Sequence, residues 1–363
     1  MELLTNNYCL ILAGGKGKRL WPASRLERPK QFIDFFGTGK TQLQSTFERM
    51  ANILPSNNIY VCTTREYRHW VTEQLPQLPE EHILTEPINR NTAPSVAWAG
   101  ARIHRECDNA RLVVVPSDQF IIDEEAFRRN VLQGLDFVAD NDIMLTMGIR
   151  PSRPEPGYGY IQMGEATLSS GIFKVQSFTE KPEREFARVF MESGEFLWNT
   201  GMFLSNLNHL RQFFTQLITD MPMRLGAIKD MKTVEETERY VERCYTAYPN
   251  LSMDSAALEK TEEVYVMRCD FGWADLGTWH SIYECMQKTE DDNVVIDSEV
   301  MLEDCKNTII KLPKGHVGVI QGLDGYIVAE EGDVLLICKK GDSSSLIRKF
   351  VNEVDIRYGH QYV

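Results

Sequence analysis

Residues 8–22 read Tyr8-Cys9-Leu10-Ile11-Leu12-Ala13-Gly14-Gly15-Lys16-Gly17-Lys18-Arg19-Leu20-Trp21-Pro22. The apolar run Tyr8–Ala13 predicts a buried strand, and Gly14, Gly15 and Gly17 predict a turn that follows it. A glycine turn after a first strand often cradles phosphate, because amides without side chains in the way can approach the anion. Two familiar phosphate motifs fail here. A dinucleotide fingerprint needs a glycine three residues after Gly17, where Leu20 stands, and no register fits a Walker A loop. The turn is nevertheless followed by cations. Lys16, Lys18, Arg19, Arg25, Arg28 and Lys30 occur with Glu27 as the only acid among residues 16–30. Arg19 directly after the turn, and Lys30 eleven residues later, predict a polyphosphate cradle with two cationic clamps.

Working outward, strand and helix patterns alternate. Apolar runs at Tyr8–Ala13, Ile59–Cys62, Ile83–Thr85, Leu112–Val115 and Ile143–Met147 are separated by helical stretches at Thr41–Leu54, Glu66–Gln74, Thr92–Arg105 and Asp123–Ala139. Fully apolar strands between helices predict a doubly wound α/β domain with a mixed, mostly parallel sheet covered on both faces. Ligands of such sheets bind beyond the carboxyl ends of the strands, which places the loops after Ala13, Thr85 and Val115 on one edge. The middle adds strands at Gly159–Met163, Ile172–Phe178 and Val264–Arg268, and helices at Arg184–Ser193 and Thr233–Tyr245. From Asn293 onward short apolar pieces alternate with Gly, Asp, Asn and Lys turns, closed by a helix at Ser344–Asn352. The expected organisation is therefore a domain over 1–290 and a small β-rich domain over 291–363.

Composition removes whole classes. The 363 residues are 43% hydrophobic and 25% charged, an ordinary globular balance. No apolar run approaches the roughly 18 residues of a spanning helix, and no Lys or Arg precedes Lys16 as a signal peptide would require. A net charge of −13 disfavours nucleic acid and anionic membranes as partners. The eight cysteines form no CxxC, and no histidines stand at metal spacing. A reduced, cytoplasmic protein is expected.

The stretch Leu12-Ala13-Gly14-Gly15 to Trp21-Pro22, followed by Arg28-Pro29-Lys30-Gln31-Phe32, resembles the signature of sugar-1-phosphate nucleotidylyltransferases. Further matches follow in that family's order: Glu86-Pro87 with Arg90-Asn91-Thr92-Ala93-Pro94, then Pro116-Ser117-Asp118, Gly157 to Ile161, Glu180-Lys181-Pro182, Trp198 to Phe203, and Trp273-Ala274-Asp275-Leu276-Gly277. The resemblance spans nearly the whole chain and is greatest to the mannose-1-phosphate guanylyltransferase branch. It implies a nucleotide-diphospho-sugar transferase type fold, a β-helix-like tail and a homodimer. Lys18 departs from the pattern, which often has a small hydroxylated residue there. Many relatives carry a fused isomerase domain; this chain ends at Val363, so transferase activity without isomerase activity is expected.

The implied substrates are GTP and mannose 1-phosphate, with Mg²⁺ as cofactor. Arg19 and Lys30 are the expected catalytic cations, with Lys181 on the sugar phosphate. Asp118 and Asp275 are the metal candidates, since Mg²⁺ favours one or two carboxylates plus phosphate oxygens. Ala13, Gly14, Gly15, Gly17, Glu86, Asn91 and Thr92 are expected to bind the nucleotide. Guanine presents N1–H and N2–H₂ donors side by side, and the Glu86 carboxylate can accept both. Gly159, Glu180, Lys181 and Asn199 are expected to bind the sugar phosphate. Two other readings stay open: another hexose or heptose 1-phosphate or another triphosphate, and a non-catalytic nucleotide-sugar sensor on the same fold.

Overall fold

The computed structural model describes residues 5–217, 231, 233–258, 263–341 and 343–363. They form two compact units that do not follow chain order. The first runs to Gly14 and then takes Phe47–Ser117 and Ile121–Trp273. The second holds Gly15–Thr46, Asp118–Phe120 and Ala274–Val363.

The first unit is built on one nine-stranded sheet. Its strands are β1 (Asn7–Leu12), β2 (Ile59–Thr64), β3 (Ile83–Glu86), β4 (Arg111–Pro116), β6 (Met144–Ile149), β7 (Tyr160–Ala166), β8 (Ile172–Thr179), β9 (Phe196–Asn206) and β10 (Val264–Cys269). The short β5 (Gln119–Ile121) pairs separately with β11 (Trp273–Asp275). The sheet order is β3-β2-β1-β4-β9-β6-β10-β8-β7. β1, β2, β3 and β4 are parallel, as are β6 and β10, while β9 and β8 run against their neighbours. β2 and β6 are buried at every position, which is why they read as continuous apolar runs. The chain leaves β1 for β2 on one side and reaches β4 on the other. That switch puts the ends of β1 and β4 beside the crevice where such sheets bind ligands.

The helices are α1 (Gln42–Ala51), α2 (Arg68–Gln74), α3 (Thr92–His104), α4 (Glu124–Ala139), α5 (Arg184–Ser193), α6 (Leu207–Leu217), α7 (Val234–Tyr245), α8 (Met253–Leu258), α9 (Trp279–Cys285) and α10 (Ser343–Tyr358). Side-chain caps fix several starts. Asp123 accepts from the Ala126 amide at 2.9 Å before α4, and Thr233 accepts from Glu236 at 3.1 Å before α7. None of the described helices is long and apolar enough to cross a membrane.

In the second unit, β12 (Val294–Ile296), β14 (Ile309–Lys311) and β16 (Tyr326–Glu331) form a parallel ladder, with β17 (Val334–Lys339) antiparallel at its edge. β13 (Glu299–Glu303) and β15 (Val317–Gln321) form a second parallel pair. α10 is longer than its predicted span. The expected boundary after residue 290 follows the chain, whereas the packing groups the basic stretch after Gly14 with the tail. Leu20, Trp21 and Phe35 share a core with Trp279, Ile309, Ile327 and Ile347. The Trp21 indole donates to the Tyr362 carbonyl at 2.8 Å, and the Leu26 amide donates to Val363 at 3.1 Å.

Candidate functional site

The predicted site residues divide between the two units. The glycine loop begins in the first. Ala13 ends the β1 run with its amide on the Cys62 carbonyl at 2.8 Å and its own carbonyl accepting from Thr63 Oγ1 at 3.0 Å. These bonds hold the loop entrance to β2. A Cβ on Gly14 would stand 3.6 Å from Glu86 Oε2, so that carboxylate oxygen faces the loop's first glycine.

Glu86 closes β3 and is 3% exposed. Its Oε1 accepts from Ser95 Oγ at 2.5 Å and from the Tyr245 hydroxyl. Burial raises its carboxyl pKa to about 7, against the opposing pull of those two donors. With Oε1 taken by the protein, Oε2 is the oxygen left for a ligand. Asn91 sits at φ 65° and caps α3, its side chain accepting from the Thr92 amide at 3.0 Å. Thr92 Oγ1 accepts from the Met253 amide at 2.8 Å. Both side chains thus shape the loop after β3.

Of the residues expected to bind the sugar phosphate, Gly159 is fixed by crowding. A Cβ there would lie 2.7 Å from the Phe178 ring and 3.0 Å from Glu180 Oε2. The Gly159 carbonyl accepts from the Asn199 amide at 2.8 Å, so the two residues are held side by side. Glu180 and Lys181 pair with each other and are both well exposed, with Lys181 at φ 47°. The Asn199 side chain donates to Asp254 Oδ1, while its Oδ1 accepts from the Gly201 amide at 3.2 Å and Thr146 Oγ1 at 3.3 Å. Desolvation pushes the Asp254 carboxyl pKa up, opposed by that Asn199 bond. Trp198 and Tyr160 are core residues at 2% and 0% exposure.

The second unit gathers the charged groups. Gly17 adopts φ 62°, and a Cβ there would overlap Ser24 Oγ. Ser24 Oγ accepts from the Lys30 amide at 3.0 Å, and Gln31 Nε2 donates to the Gly15 carbonyl at 2.9 Å. The basic loop is therefore stitched to itself, and only glycine fits at 17. Around Gly15 there is open space. Lys30 is buried, and its ammonium pairs with Asp118. Arg19 and Asp275 converge on Gly277: a Cβ there would be 2.8 Å from Arg19 Nη2 and 2.8 Å from Asp275 Oδ2.

Asp118 immediately precedes β5 and Asp275 ends its partner strand β11. Among the described residues no cluster of three or more His, Cys, Asp or Glu could hold a metal by itself. Two carboxylates with remaining positions left to phosphate oxygens and water suit Mg²⁺, which keeps much of its shell outside the protein. Ser95 and Tyr245 are the partners that sequence reading did not supply. Ser95 carries a local signal, one turn into a helix that follows Glu86; Tyr245 carries none, 159 residues from its acceptor.

Comparison with known proteins adds to this geometry. The nucleotidyl transferase family model matches residues 8–292. A protein named mannose-1-phosphate guanylyltransferase from Salmonella montevideo is 33% identical over 368 residues, covering 98% of this chain and 75% of its own length. A protein of the same name from Escherichia coli K12 is 32% identical, again over 98% of this chain and 75% of its own. A crystal structure described as mannose-1-phosphate geranyltransferase from Thermus thermophilus superposes with a TM-score of 0.86 and 29% identity, covering 97% of this chain and all of that one.

Proposed function

This chain belongs to the nucleotidyl transferase family, and we propose that it transfers GMP from GTP to mannose 1-phosphate, giving GDP-mannose and pyrophosphate. The observation that carries the reading is the 33% identity, along 98% of the chain, to a protein named for that activity. The chemistry of the residues supports it. An oxygen of the sugar phosphate attacks the α-phosphorus in line, and no protein nucleophile is needed, so catalysis is positioning and charge stabilisation.

Both reactants are anions. Arg19 and Lys30 supply positive charge to the triphosphate, while the loop amides at Ala13, Gly14, Gly15 and Gly17 approach it from the β1 end. Asp118 and Asp275 would hold Mg²⁺, which when bound neutralises phosphate charge. Because Lys30 pairs with Asp118, the same carboxylate keeps the ammonium in place before substrate arrives. Glu86 Oε2 accepts from the guanine donor edge beside the loop formed by Asn91 and Thr92. Gly159, Glu180 and Asn199 meet the hexose hydroxyls, and Lys181 meets the sugar phosphate. Asp254 orients the Asn199 amide through its hydrogen bond.

The parallel ladders of the tail read as a β-helix-like coil. The active form is a cytoplasmic homodimer. Mass-spectrometric detection of GDP-mannose from GTP, mannose 1-phosphate and Mg²⁺ tests the function. A folded protein that forms no GDP-mannose overturns it.

A further inference from the structure

We propose that Tyr245 sets the nucleotide-base preference from behind the site: its hydroxyl, together with that of Ser95, claims Glu86 Oε1 and leaves Oε2 as the acceptor turned toward the glycine loop. The inference rests on the guanine-reading role of Glu86 given above and assigns what positions it. Two donors reach the same carboxylate oxygen from different elements, Ser95 from α3 and Tyr245 from the end of α7. Pinning one oxygen twice fixes the plane of the carboxylate. The other oxygen then points where a Cβ on Gly14 would lie 3.6 Å away. Glu86 and Tyr245 are both buried, at 3% and 0% exposure, so water does not replace a missing donor.

Tyr245 is itself held. Its ring packs edge-on against Trp98, with centroids 6.0 Å apart, and against Tyr248 at 5.3 Å. The chain after it is tied to the loop that follows Glu86. Arg90 donates to the Thr246 carbonyl at 2.7 Å, the Leu251 amide donates to Arg90 at 3.3 Å, and the Ala93 amide donates to Leu251 at 3.0 Å. The Met253 amide then reaches Thr92 Oγ1 at 2.8 Å. Residues 245–253 thus brace residues 86–93 at five points, and the Tyr245 bond is the one made to the base-reading group. Tyr245 is a positioning residue: it acts through Glu86 and touches no substrate.

Adenine lacks the N1–H and N2–H₂ donors and does not use the aimed oxygen. Misaiming Oε2 therefore penalises GTP and leaves ATP nearly untouched. The test compares wild type with Tyr245→Phe, measuring kcat and KM separately for GTP and ATP with mannose 1-phosphate. The expected result is a GTP-over-ATP ratio of kcat/KM reduced at least tenfold, carried by KM for GTP, with kcat for GTP within about threefold of wild type. A ratio unchanged within twofold overturns the proposal, and so does an equal loss for both nucleotides. If Tyr245→Phe does not fold, Ser95→Ala removes the second donor and is read by the same ratio, with Ser95→Thr restoring it. Wild-type enzyme that does not prefer GTP overturns the functional reading itself and the proposal with it; a wild-type preference that survives Tyr245→Phe overturns the proposal alone.

Discussion

Replacing Glu86 by Gln removes a buried titrating group while keeping an Oε1 acceptor for Ser95 and Tyr245. The Glu86 carboxyl has a folded pKa of about 7 against an ordinary 4.5, because burial disfavours its charge. At about 1.4 kcal/mol per tenfold change in proton affinity, the folded state loses about 3 kcal/mol when that group ionises. The sign follows from linkage. Between pH 4.5 and 7 the folded protein holds the proton and the unfolded chain does not, so stability falls as pH rises through that window and levels off above it. Glu86→Gln has no such loss. Its stability relative to wild type is expected to rise by about 3 kcal/mol from pH 4.5 to pH 8. Burial lifts the Cys62 thiol and the Tyr245 phenol well above their ordinary values, so neither neighbour titrates in this range. Urea unfolding of both proteins at half-unit pH intervals measures the difference, in which titrations common to both cancel. A difference that stays flat within about 1 kcal/mol, or that moves in wild type's favour as pH rises, would contradict a raised Glu86 pKa.

Gly17→Ala forces a side chain into a left-handed residue against Ser24 and should destabilise by roughly 1–3 kcal/mol, whereas Gly15→Ala meets open space and should leave the unfolding midpoint unchanged. Gly277→Ala would crowd Arg19 Nη2 and Asp275 Oδ2, both 2.8 Å from the new carbon; a large fall in kcat with an unchanged circular-dichroism spectrum is expected, and full activity would contradict the separate roles given to Arg19 and Asp275. Lys30→Met should lower kcat by about 10²–10³, the usual effect of removing one stabilising charge or donor, and isothermal titration should show weaker GTP binding as well. Chelation by EDTA should abolish product formation, with Mg²⁺ restoring it; activity that persists in EDTA would remove the metal from the mechanism.

The parallel half of the sheet was legible because β1, β2, β3 and β4 are buried on both faces and read as plain apolar runs. β9 was not, although it sits mid-sheet between β4 and β6. Asn199, Thr200 and a positive-φ Gly201 interrupt its pattern, and its place between β4 and β6 is decided by antiparallel partners 49 or more residues away. β13 was missed for the opposite reason: Glu299 and Glu303 face out from a strand whose inward residues are only partly buried. The charged residues were visible as types in a motif, but their companionship was not. Nothing local says that Lys30 pairs with Asp118, or that Arg19 and Asp275 both border Gly277. Tyr245 shows the limit most clearly, since a helical tyrosine among apolar neighbours reads as core, and its hydroxyl gains a role only when the fold brings Glu86 to it.

Substrate choice is read most directly from pyrophosphate release on a grid of four nucleoside triphosphates against mannose-, glucose-, galactose- and fucose-1-phosphate, with and without Mg²⁺. A strong, metal-dependent signal is expected for GTP with mannose 1-phosphate, and little elsewhere. A dominant signal from another pair, or silence from folded protein that still binds GTP, would contradict it.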